Sequence, residues 1–132
     1  MVKIIWALSL TIVNAIGFLP TAFAQLNENF NDGDFTGNPV WQGDASNFLV
    51  EAGMLRLQAP AQAGQSYLAT PSRAIENAAW EFVVRLAFNP SGQNYARIYL
   101  AADKQDLTGP LEGYYVLVGG TPDEVSLYRQ DL

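Results

Sequence analysis

The sequence predicts an all-β chain folded as an antiparallel β-sandwich. Apolar residues recur at every second position in several short runs, which is the period of a strand with one face in a core. Clusters of Gly, Pro, Asn and Asp separate those runs at short intervals. No run carries a sustained helical period. The strongest run is Trp80-Glu81-Phe82-Val83-Val84-Arg85-Leu86-Ala87-Phe88. Trp80, Phe82, Val84, Leu86 and Phe88 share one face, and Glu81, Val83, Arg85 and Ala87 share the other. The apolar face needs a second layer to cover it, so this run is expected to be the central strand.

Taken in order, the chain opens on a stretch expected to be a secretory signal peptide, Met1 to Ala24. Lys3 supplies the positive start, and Ile4 to Phe18 is apolar apart from Ser9, Thr11 and Asn14. Ala22-Phe23-Ala24 is a cleavage site. The apolar core is short and polar-dotted for a membrane anchor. No Cys follows that could carry a lipid. Residues 25–132 are then the exported module, secreted or at the cell surface, with no stable membrane insertion after cleavage.

Within the module, Leu26 to Phe30 is expected to open as a short strand, and Asn31-Asp32-Gly33-Asp34 to turn it. Gly37-Asn38-Pro39 is a second breaker, followed by Val40 and by Trp41 as a core or rim plug. Asn47 to Glu51 and Met54 to Gln58 make a β-hairpin about Ala52-Gly53. Phe48 and Val50 lie on one face of it, with Leu55 and Leu57 inward and Arg56 outward. Ala59 to Gln65 is a loop, Tyr67 to Thr70 a short strand, and Ser72 to Glu76 has room for one helical turn.

After the central run, Asn89-Pro90-Ser91-Gly92-Gln93-Asn94 is a strong turn signal. Tyr95 to Ala101 returns with Ile98 and Leu100 on one face, expected beside Leu86 and Phe88. Tyr95, Arg97 and Tyr99 fall on the other face. Tyr114 to Val118 is apolar on both faces and reads as a strand with neighbours on both sides. Val125 to Gln130 closes the series with Val125 and Leu127 inward. The count is about seven or eight short strands with turns between them.

Composition excludes several function classes. The chain has 7 basic and 13 acidic residues and a net charge of −6, and loss of Lys3 makes the module one unit more negative. An acidic surface without a basic stripe is a poor partner for nucleic acid. With no Cys, stability cannot rest on disulfides, even in an exported chain. With no His and no Cys, Ser-His and Cys-His nucleophile systems are excluded.

Several stretches resemble a known module. They are Asn29 to Phe35, Pro39 to Asp44, Phe48-Leu49-Val50, Gly53 to Leu57, Arg97 to Leu100, Gly113 to Val116 and Val125 to Arg129. Together they are similar to the concanavalin A-like (laminin G-like) jelly-roll module at the start of large secreted surface proteins of Bacteroidetes, which often carry lamin-tail domains. The resemblance implies a jelly-roll sandwich. Modules of this kind have more strands after the point where this chain stops, so the sandwich is expected to be incomplete at its C-terminus, with the last strand an unpaired edge. Lectin and glucanase relatives bind or cleave glycans on the concave face of one sheet, and some such modules hold calcium.

Candidate chemistry is sparse. Glycan cleavage needs two carboxylates facing each other across a sugar. The nearest acid pairs, Asp32/Asp34, Asp103/Asp106 and Asp123/Glu124, all fall in turns, so the chain is not expected to be an enzyme. Asp32 and Asp34 are candidates for a calcium site, against the plainer reading of an Asx turn. No cofactor is expected, calcium at that turn being the one option left open. Arg85, Arg97, Tyr99, Tyr115 and Tyr128 are candidates for lining a glycan or peptide face. Aromatic rings stack on sugars, and Arg offers forked donors. Cross-strand packing alone also accounts for those residue types. The expected function is a secreted, non-catalytic carbohydrate-binding or adhesion module of a larger surface protein, with a glycan or cell-surface polymer as partner. The alternatives are a ligand-free structural spacer or the remnant of a glycoside hydrolase.

Overall fold

A computed structural model describes residues 26–132; the signal-peptide expectation for Met1 to Ala24 lies outside the described residues. Over those residues the protein is all-β, with one 3-10 turn at Ala45–Asn47 and antiparallel pairing throughout. The strands are β1 (Gln42–Gly43), β2 (Phe48–Glu51), β3 (Met54–Leu57), β4 (Leu68–Ala69), β5 (Tyr95–Ala102), β6 (Gly113–Gly119) and β7 (Glu124–Gln130). They form small sheets ordered β1-β4, β2-β3 and β5-β6-β7.

The β2–β3 hairpin forms where the sequence places it. Ala52 and Gly53 both take positive φ, 51° and 70°, the handedness a two-residue loop needs to match the twist of its strands. Phe48 pairs with Leu57 and Val50 with Leu55, so the four apolar side chains share a face. Arg56 stands on the opposite face, in an ion pair with Glu51. The β1–β4 pair is held beyond its ladder by Asp44, whose N–H donates to the Tyr67 carbonyl (2.9 Å) and whose Oδ2 accepts from the Tyr67 N–H (3.0 Å). Gly43, at φ 142°, lies so close to the Tyr67 carbonyl that a Cβ there would collide with it. Trp41 is half-buried against Phe30, with ring centroids 6.3 Å apart.

The largest sheet is β5-β6-β7. Its β6–β7 register runs unbroken from Gly113↔Gln130 to Gly119↔Glu124, while a bulge interrupts β5 between Tyr99 and Ala101. β6 is the middle strand, as its apolar faces predict. The β5–β6 loop closes on itself: the Asp103 N–H donates to the Glu112 carbonyl (3.0 Å), and the Glu112 N–H donates to Asp103 Oδ1 (2.8 Å). Leu111 in this loop is fully buried, and no other hydrophobic residue among those described is.

Several expectations are corrected. Leu26 to Phe30 is not a strand, and the strand expected over Tyr67 to Thr70 shrinks to β4. The run from Trp80 to Phe88 is not a strand either, and Val83 is 98 % exposed. The cause is register. Among the described residues the one bridge near this run and β5 lies in the turn that joins them, Ser91↔Asn94, with bonds of 2.9 and 3.1 Å. Counting back from that pair, a continued ladder would set Phe88 opposite Arg97 and Leu86 opposite Tyr99. Residues opposite each other share a face, so the large apolar side chains would leave Ile98 and Leu100 for the tyrosine side. The run instead crosses the sheet without joining it. Trp80 and the preceding Ile75 face Leu100, Ala101, Tyr114 and Leu127, and Leu86 and Pro90 lie over Gly119. This cover is partial. Val125 and Leu127, expected inward, are 70 % and 66 % exposed because β7 is an edge strand and the cover over it is open.

Candidate functional site

The register of the main sheet brings one side chain from each strand into a line: Tyr99 on β5, Tyr115 on β6 and Tyr128 on β7 are directly opposite one another. The Tyr99 and Tyr115 ring centroids are 5.2 Å apart at 42°, and the Tyr115 and Tyr128 centroids 5.3 Å apart at 15°. Offset and tilted aromatic pairs at such distances attract beyond their buried area. The Tyr99 hydroxyl reaches across the middle strand and donates to Gln130 Oε1 (2.8 Å), tying the two outer strands together on this face.

Arg97, two residues before Tyr99, points to the same side. Its Cζ lies 5.3 Å from the Tyr95 ring centroid and 5.2 Å from that of Tyr115, both within cation–π range. Its Nη2 donates to the Tyr95 hydroxyl (3.1 Å). Partial burial draws its pKa down. The hydroxyls of Tyr95, Tyr115 and Tyr99 more than offset that, so the guanidinium sits above its ordinary value and stays charged. Arg97 is in no ion pair among the described residues, whereas Arg56 is paired with Glu51 and Arg129 with Asp131.

Of the candidate ligand-binding residues, Arg97, Tyr99, Tyr115 and Tyr128 therefore come together. Arg85 does not join the sheet; it is exposed on the run that precedes β5. Two members of the face were not singled out from sequence. Tyr95 could have been, from its spacing with Arg97 and Tyr99. Gln130 could not, because its place beside Tyr99 depends on the pairing of three strands.

Asp32 and Asp34 lie in their own turns. Asp32 Oδ1 accepts from the Asp34 N–H (3.1 Å), and Asp34 Oδ1 accepts from both the N–H and the hydroxyl of Thr36 (2.8 Å each). Those Thr36 bonds, the backbone one first, hold the Asp34 carboxyl below its ordinary value. Calcium takes about six to eight oxygens. Among the described residues no group of three or more acidic side chains gathers to supply them. The opposite face of the main sheet carries an open apolar cavity of about 380 Å³, lined by Ile75, Trp80, Leu100, Ala101, Tyr114 and Leu127. Comparison with protein-family models, curated proteins and solved structures found no match to this chain.

Proposed function

We propose that this protein is a secreted, non-catalytic carbohydrate-binding or adhesion module, that its strands belong to a β-sandwich of the jelly-roll kind, and that it holds a glycan against the tyrosine face of β5-β6-β7. The observation that carries the reading is the row Tyr99, Tyr115 and Tyr128 with Arg97 beside it. Sugar rings have apolar C–H faces that stack on aromatic rings, while their hydroxyls need donors and acceptors at the rim. Gln130, Tyr95 and Arg97 supply both at the border of the row. A face set on three hydrogen-bonded strands is also held more rigidly than one set on loops.

The test is affinity electrophoresis of the chain through gels containing neutral and acidic polysaccharides, beside its Tyr115→Ala and Tyr128→Ala variants. Retardation by at least one polysaccharide, relieved in both variants while the β-sheet circular dichroism persists, is the expected result. Free migration through every gel would leave the spacer reading in its place.

A further inference from the structure

We infer that the tyrosine face is selective for acidic glycans, with Arg97 receiving the carboxylate of a uronic acid residue held against the tyrosine row. This rests on the carbohydrate-binding reading above and adds the class of sugar. The argument starts from the residues that share the face. By the strand register they are Tyr95, Arg97 and Tyr99 on β5, Tyr115 and Leu117 on β6, and Glu124, Ser126, Tyr128 and Gln130 on β7. Arg97 is the single cation in that set. The single acid, Glu124, accepts from the Ser126 hydroxyl (2.8 Å) and forms no ion pair with Arg97.

A guanidinium has five N–H donors in a planar fork. Here it gives one bond to the Tyr95 hydroxyl, and it is held between two aromatic rings. That grip fixes the orientation of the fork, so little further entropy is lost when a carboxylate docks on it. A carboxylate accepts from such a fork through two parallel bonds, stronger and more directional than a bond to a sugar hydroxyl. A uronic acid carries its carboxylate at the edge of the ring, so one sugar residue can stack on tyrosine and reach the neighbouring arginine together.

The net charge of −6 opposes an anionic polymer at long range. At physiological ionic strength that repulsion is screened over about 8 Å, while a bidentate contact acts at about 3 Å. Contact selectivity therefore survives, although association is slower than for a basic lectin.

The test uses polygalacturonate oligomers and their methyl esters, which share a backbone and differ in the free carboxylate, with binding measured by calorimetry at about 0.15 M salt. The expected result is at least tenfold tighter binding of the free acid. In Arg97→Gln acid and ester bind equally, both more weakly than the acid binds the wild type, and Arg97→Lys retains part of the preference. Equal affinity of the wild type for acid and ester would overturn the inference and leave the tyrosine reading standing. A preference for acid that persists in Arg97→Gln would remove Arg97 from the role. No binding of either oligomer by the wild type, with binding of a neutral polysaccharide, overturns the inference alone; no binding of any glycan overturns both. The wild-type comparison of acid with ester does not depend on how any variant folds.

Discussion

Ala52 holds a φ of 51°, a left-handed conformation that costs an L-residue with a Cβ about 1 kcal/mol. Asn tolerates that region and, followed by Gly, suits a two-residue hairpin loop. Ala52→Asn should therefore raise the urea midpoint by the equivalent of about 0.5–1 kcal/mol without changing the slope of the transition. The turn itself is legible in Ala52-Gly53, but the strain at Ala52 is not, because Ala does not advertise left-handed backbone. A second residue-scale prediction concerns Asp34 and Asp106. Each accepts from both the hydroxyl and the N–H of the threonine two residues on, Thr36 and Thr108, and each has its pKa lowered by those bonds. A carboxyl with a depressed folded pKa contributes stability that is complete above its ordinary value of 3.8 and is lost as pH falls through the lower folded value. The Thr36 and Thr108 amide resonances, followed through an acid titration, should show inflections below 3.8.

At the scale of elements, the main sheet has two edges, β5 and β7, that pair with no further strand among the described residues. β7 is regular over its whole pairing with β6, carries no Pro and no bulge, and shows Val125 70 % exposed. A regular, exposed edge of this kind templates pairing with other chains. Val125→Lys should reduce concentration-dependent light scattering and leave the far-ultraviolet circular dichroism unchanged; scattering that stays at the wild-type level would show that association does not run through this edge. β5 meets the opposite problem differently, since its bulge between Tyr99 and Ala101 twists the strand. Close approach at the start of β6 depends on Gly113, where a Cβ would lie 2.5 Å from the Ala101 carbonyl oxygen. The hairpin, β5 and β7 were legible as alternating runs between breakers, and β6 as a run apolar on both faces. Residues 80–88 show the same alternation and form no strand, because periodicity records which side chains want cover and carries no information about which backbone will supply hydrogen bonds.

For the whole molecule the decisive quantity is how little is fully buried. Leu111 is the sole hydrophobic residue among those described with no exposure, while Trp80, Phe82, Phe88 and Leu57 are each more than 40 % exposed. Ile75 and Trp80 supply part of the apolar cover of the main sheet. Trp80 retains about half of its potential burial, so Trp80→Ala should cost about 2 kcal/mol, read as a lower urea midpoint. An unchanged midpoint would mean that the run over the sheet contributes no cover. The sequence by itself determined that this chain is built of short antiparallel strands, and it placed Arg97 and Tyr99 on one side of a strand, because alternation and turn chemistry are local properties. Only the tertiary structure decided that Tyr115, Tyr128 and Gln130 complete that face, that Arg85 stands apart from it, and that the greasiest run lies across a sheet it does not join. Register between strands distant in the chain is set by the sum of many weak pairings, and no single segment contains that sum.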